Sequence, residues 1–202
     1  MAEIKNVCVY CGSSPGNDPV YLEAAQAFGR ILADENIGLV YGGGGIGLMG
    51  ALARATLDAG GRVTGIIPDF LVAREQALTV EHNVIITKDM HERKRTMFEH
   101  ADAFVALPGG VGTLEELVEQ MTWIQLGRHK KPLLLLSLRK FWEPLFMLFR
   151  HQQAEGFIRD RSFQFLIADR VDAIVPALRD AASGLTREEL HGPETKFVAE
   201  EM

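Results

Sequence analysis

The sequence is poor in cysteine, in long apolar runs and in positive charge, and each shortage removes a class of protein. Two cysteines in 202 residues cannot build a disulfide framework. They form Cys8-Val-Tyr-Cys11, but with no second pair a zinc site lacks ligands and a redox role lacks its usual context, so buried strand cysteines are expected. The longest apolar run, PLLLLSL from Pro132, is far too short to cross a bilayer. A formal net charge of −6 argues against a general surface for nucleic acid or for an anionic membrane, so any nucleotide must be held by a local positive site. The six histidines show no H-E-x-x-H spacing, and the Walker G-K-[ST] is missing. The first residues, MAEIKNVCVY, carry no signal-peptide pattern, and a cytoplasmic protein is expected.

What is present is an ordinary globular composition, 47% hydrophobic and 24% charged, on a length that suits one domain. Apolar runs at 6–10, 37–42, 62–67, 83–87, 102–107, 132–137 and 171–175 read as strands, most of them apolar on both faces as buried parallel strands are. Helical patterns lie between them at about 20–35, 47–59, 90–101, 113–126 and 141–155, with shorter ones near 160–168 and 176–182. This alternation predicts a single-domain α/β fold over 1–184, a doubly wound, Rossmann-like parallel sheet of about seven strands. The polar stretch 185–202 predicts a loosely held tail. The aromatic run FWEPLFMLFR, 141–150, predicts core or a subunit contact.

Ligands of such sheets sit beyond the carboxyl ends of the strands, and three strand ends carry small residues: CGSSPG (11–16), YGGGGIGLMG (41–50) and LPGGVGT (107–113). Glycine lets a ligand approach backbone N–H groups, and a following helix N-terminus adds partial positive charge. Gly12, Ser13, Gly43 and Gly44 are therefore candidate contacts, and three such loops on one edge predict a phosphate-bearing ligand. Gly45, Gly47 and Gly50 also fit G-x-G-x-x-G, with Asp69 downstream, which leaves a dinucleotide site open.

In DMHERKRTMFEHA, 89–101, Asp89 and Glu92 have capping-box-like spacing, and Arg93 and Lys94 fall within the apolar stripe of Met90, Met97, Phe98 and Ala101. Inward-facing basic residues need an anion, either a ligand or a carboxylate of the protein, unless they snorkel to the rim. His91 lies beside the stripe and is expected to be partly exposed. On the next helix the expected stripe is Leu114, Leu117, Val118, Met121 and Gln125, which puts Glu116 opposite the core. Two readings of Glu116 stand. With Thr113 as N-cap it closes a Thr-x-x-Glu capping box, while Glu115 merely favours the positive helix end. Alternatively, Glu116 is a carboxylate of a site shared with the basic pair.

These residues resemble the Lonely Guy family, the cytokinin riboside 5′-monophosphate phosphoribohydrolases, whose members were long labelled lysine decarboxylases. The family pattern P-G-G-x-G-T-x-x-E is Pro108 to Glu116, and M-x-x-R-K is Met90 to Lys94. CGSS, YGGGxxGLMG and TWxQLG (Thr122 to Gly127) match as well, and the resemblance spans roughly residues 4–180. It implies Arg93 and Glu116 as the catalytic pair. It implies nucleotide contacts at Lys94, at Gly110, Val111, Gly112, Thr113, Leu114 and Glu115, at Thr122, and at Glu75. It also implies a homodimer and a nucleoside 5′-monophosphate substrate, AMP included, cleaved to free adenine-type base and ribose 5-phosphate. No metal or redox cofactor is required. The decarboxylase label fits poorly, since that chemistry uses pyridoxal phosphate on a lysine and Lys94, the one inward candidate, has an arginine neighbour that suits phosphate better. A non-catalytic nucleotide carrier or sensor would need the loops but not Glu116. A dinucleotide oxidoreductase would use Gly45, Gly47 and Gly50.

Overall fold

The computed structural model describes residues 2–73, 83–158 and 165–192. Seven parallel strands form one sheet in the order β4-β3-β2-β1-β5-β6-β7: β1 (Asn6–Tyr10), β2 (Gly38–Tyr41), β3 (Val63–Pro68), β4 (Asn83–Thr87), β5 (Ala103–Ala106), β6 (Leu133–Leu136) and β7 (Leu166–Ala168). Register is continuous through the centre, with Val7 opposite both Leu39 and Ala103. The strand order reverses between β1 and β5, which opens a crevice at their carboxyl ends where ligands of doubly wound sheets bind.

Alternation along β1 explains the two cores. Val7 and Val9 pack with α1 (Pro19–Asp34), α2 (Gly47–Asp58) and α6 (Ile174–Ala182), whereas Cys8 and Tyr10 pack with α3 (Met90–His100), α4 (Val111–Gln125) and the residues around α5 (Glu143–Ala154). Both cysteines are buried free thiols, and burial pushes both well above the usual thiol range. Helix starts follow local chemistry: Asp18 caps α1 by accepting from the Val20 N–H with Pro19 at the first helical position, and Asp89 caps α3 by accepting from the Glu92 N–H.

Three expectations are corrected. The seventh strand is Leu166–Ala168 rather than 171–175; Val171–Ala173 is a 3-10 turn leading into α6. The apolar run there continues as Ile174, Val175, Leu178 and Ala182, all buried, which is helical spacing, and Pro176 is tolerated in a first turn. The helix expected near 160–168 is accordingly wrong for 166–168, and 159–164 lie outside the described residues. The polar tail is docked at its beginning. Arg187–His191 forms α7, closed by a capping box between Thr186 and Glu189 and ended by Gly192. Leu190 is buried in the core, its carbonyl accepts from the Lys130 N–H, and the Ala2 N–H donates to Leu185. Leu190 in the core and the 3.0 Å contact of His191 with Asp102 hold this otherwise polar helix; residues 193–202 lie outside those described.

Candidate active site

The loops after β1, β2 and β5 meet at the crevice, but they are not equivalent. The Gly12 N–H donates to the Pro108 carbonyl at 3.1 Å, tying the first loop to the third. The Gly12 carbonyl accepts from the N–H groups of Leu48 (3.0 Å) and Met49 (3.3 Å), so the N-terminus of α2 is already occupied. Gly47, at φ +59°, lies so close that a Cβ there would stand 2.3 Å from the Ser13 backbone. The G-x-G-x-x-G glycines therefore serve loop-to-loop packing, and Arg54 donates to the Gly45 carbonyl at 2.9 Å. Gly43 and Gly44 are buried in this second loop. Gly12 and Ser13 line a cavity of about 280 Å³ with Tyr21, Pro108, Gly110 and Phe141.

The third loop is open. Helix α4 begins at Val111 with Gly110 as N-cap, and no side chain caps it. Among the described residues nothing accepts from the N–H groups of Val111, Gly112 or Thr113. Nothing stands within 4 Å of a Cβ built on Gly110 or Gly112. No acidic residue lies in the first turn. A helix N-terminus with free donors and no carboxylate in its first turn favours an anion.

This start excludes the capping-box reading: Thr113 is inside the helix and buried, and Glu116 is a full turn beyond it. The orientation of α4 also differs from the expected one. Its buried face is Thr113, Glu116, Leu117, Gln120 and Met121, while Val118 and Gln125 are exposed. Glu116 is thus inside, not opposite the core, because it has a buried partner. Arg93 on α3 places a guanidinium nitrogen 3.0 Å from Glu116 Oε1, and both side chains are only about a tenth exposed. Arg93 Nε donates to the Ile66 carbonyl within β3 (3.1 Å). Gly42 makes room for this fork: a Cβ on it would stand 2.2 Å from the Arg93 guanidinium and 3.2 Å from the Met49 sulfur. Burial pushes the Glu116 carboxyl up to about 7, against the pull of the Arg93 cation, with Glu115 adding to the rise.

Lys94 is inward as expected. Its ammonium lies 2.6 Å from Glu115 and 2.9 Å from Glu119. Burial lowers its pKa, but the hydrogen bonds to these two carboxylates outweigh burial and hold it above the ordinary lysine value. Glu119 and Gly42 are site residues that sequence reasoning missed. The signal for Glu119 was its i, i+4 relation to Glu115, which puts two carboxylates on one helix face. Leu114 is half-buried. Thr122 sits apart, exposed, with its hydroxyl donating to the Val118 carbonyl at 2.8 Å. It lines an outer depression with Leu114, Glu115, Val118, Glu119 and Trp123. Glu75 lies outside the described residues.

Comparison with known proteins follows the same lines. Residues 49–178 match a family model described as possible lysine decarboxylase. The cytokinin riboside 5′-monophosphate phosphoribohydrolase LOG1 of Arabidopsis thaliana is 43% identical over 180 residues, covering 89% of this chain and 84% of that protein. The enzyme of the same name from Rhodococcoides fascians is 42% identical over 180 residues, 87% of this chain and 89% of that one. A solved structure of the Moco carrier protein of Chlamydomonas reinhardtii shares the fold alone, with a TM-score of 0.67 at 20% identity over 91% of this chain and all of that one. With identity at this level over nearly the whole chain, this protein belongs to the family of the cytokinin riboside 5′-monophosphate phosphoribohydrolases.

Proposed function

We propose that this chain is a hydrolase that cleaves the N-glycosidic bond of adenine-type nucleoside 5′-monophosphates, cytokinin ribotides and AMP among them. The products are free base and ribose 5-phosphate. The observation that carries the reading is the buried Arg93–Glu116 pair standing beside the open N-terminus of α4. Glu116 is five residues past Val111, about 7–8 Å of helix rise, which is within the reach of a single nucleotide. The 5′-phosphate rests on the N–H groups of Val111, Gly112 and Thr113, and the anomeric carbon comes to Glu116.

Cleavage of the C1′–N bond leaves positive charge on the sugar. The ionised Glu116 stabilises that charge and takes a proton from the attacking water, whose oxygen bonds to C1′; the departing ring nitrogen gains a proton. Arg93 holds Glu116 in place through its bond to the Ile66 carbonyl. Lys94, balanced between Glu115 and Glu119, supplies a cation beside the cradle. Gly12, Ser13, Gly43, Gly44, Leu114, Thr122 and Glu75 belong to the same proposal as substrate contacts.

The proposal includes a cytoplasmic homodimer. Leu126 and Phe157 are 76% and 85% exposed, and Met147 and Leu148 are exposed on α5; large apolar side chains left in water are the kind a second copy would cover. The test of the reaction is incubation with AMP and with an N6-isopentenyl nucleotide, with assay of both products. Equal release of base and ribose 5-phosphate supports the reading, and absence of base release from both refutes it.

A further inference from the structure

Helix α4 buries a second polar side chain that the packing of the core does not explain. Gln120 is 0% exposed and lies on the same face as Thr113, Glu116, Leu117 and Met121. Leu117 and Met121 belong to the apolar core that also holds Cys8, Tyr10, Met97 and Phe98. Among the described residues, neither Nε2 nor Oε1 of Gln120 has a hydrogen-bond partner. A buried amide left unpaired destabilises a core that an apolar side chain of the same shape would fill without loss.

The place of Gln120 on the helix decides what its amide can meet. It follows Glu116 by four residues, so the two Cβ atoms stand about 5–6 Å apart on one face. Long side chains on a helix run back toward its N-terminus, over the preceding turn, and for Gln120 that is the turn that carries Glu116. Thr113, Glu116 and Gln120 form a polar line at i, i+3 and i+7 down the buried face of α4, starting near its open end.

Glu116 has room for another donor. Arg93 meets Oε1 at 3.0 Å, whereas an ionised carboxylate offers about four acceptor positions on its two oxygens. The charged groups around it are Arg93 and Lys94 on α3 and Glu115 and Glu119 on its own helix. From β1 and the loop after it, the Tyr10 phenol and the Cys8 and Cys11 thiols feel its charge, and burial holds all three protonated. Burial outweighs the two cations, and the carboxyl is pushed up to about 7.

We propose that Gln120 is a positioning residue for Glu116: its Nε2 donates to the carboxylate when Glu116 is ionised and has no partner when Glu116 carries its proton. Two donors, one from α3 and one from α4, then hold the working form of the carboxylate. A hydrogen bond made only to the charged form favours that form and draws the midpoint of ionisation down. The consequence for turnover rests on the hydrolytic reading; the pairing itself does not. In the competing account Gln120 merely fills space.

The experiment follows the unmodified protein by NMR without substrate, titrating the Gln120 side-chain amide (¹⁵N) and the Glu116 carboxyl (¹³C) between about pH 5 and 9. The two signals are expected to move together with one midpoint. In Gln120→Met, an apolar chain of matching length, the Glu116 midpoint and the acid limb of kcat/KM for AMP should both lie about one pH unit higher, the loss of one hydrogen bond to a charged group. Base release near pH 6 should then fall about ten-fold, while values near pH 9 stay within about two-fold. The proposal is overturned if the Gln120 amide does not respond as Glu116 ionises, or if the Glu116 midpoint is unchanged in Gln120→Met. The amide titration decides the matter even if Gln120→Met fails to fold. Coupled titration without any base release from AMP would support the pairing while counting against the hydrolytic reading.

Discussion

Replacing Glu116 by glutamine should make the protein more stable at neutral pH while it destroys the chemistry. The folded protein raises this carboxyl from 4.5 to about 7, a difference that amounts to about 3 kcal/mol. Below pH 4.5 the group is neutral in the folded and unfolded chains alike, and its contribution to stability is fully present. Between 4.5 and 7 the unfolded chain ionises while the folded one retains the proton, so stability falls; above 7 both are ionised and the loss is complete. Glutamine does not titrate, keeps the shape, and its amide oxygen can still accept from Arg93, which also keeps its bond to the Ile66 carbonyl. Urea unfolding of both proteins at pH 4, 6 and 8 should therefore show a gap near zero at pH 4 that widens in favour of Glu116→Gln to about 3 kcal/mol at pH 8. The reasoning fails if the variant is instead the less stable protein at pH 8 by about 3–5 kcal/mol, the cost of breaking a buried pair that acts as a structural clamp. A carboxylate held at such cost is the expected trade of stability for function.

Three further outcomes follow from the geometry. Gly42→Ala puts a methyl group where the Arg93 guanidinium lies; base release should fall by about 10²-fold, as misplacing a catalytic group does, while circular dichroism remains native. Because the ionised Glu116 is the working form, kcat/KM should drop about ten-fold per pH unit below about 7, and a profile flat from pH 5.5 to 8 would contradict that role. Asp102→Ala should lower stability by about 2–4 kcal/mol in urea unfolding, since two backbone N–H groups at the start of β1 lose their acceptor and α7 loses its His191 contact.

The strand–helix alternation was legible because parallel strands buried on both faces and helices of regular period leave distinct patterns. The misreadings fell where those patterns fade. Edge strand β7 is three residues long, and Ile174-Val175 looks like a strand until Leu178 and Ala182 are counted with it. The inward placement of Arg93 and Lys94 could be read from their own helix, because charge on an apolar stripe demands a partner. The burial of Glu116 could not. Helix α4 turns a carboxylate inward only because α3 brings a guanidinium to meet it, and a periodicity count assigns each helix its face without that knowledge. The Thr-x-x-Glu spacing was a false signal because the N-cap lies three residues earlier, at Gly110, leaving the first donors of the helix open.

The central claim is that Glu116 performs chemistry on a nucleotide held elsewhere, by the N-terminus of α4. Turnover and binding measured side by side for Glu116→Gln test it most directly. Base release from a nucleoside 5′-monophosphate should fall by about 10²–10³-fold, while the Kd for the same nucleotide, taken by calorimetry, stays within a few-fold of the unmodified protein. Undiminished base release by the folded variant would contradict the account.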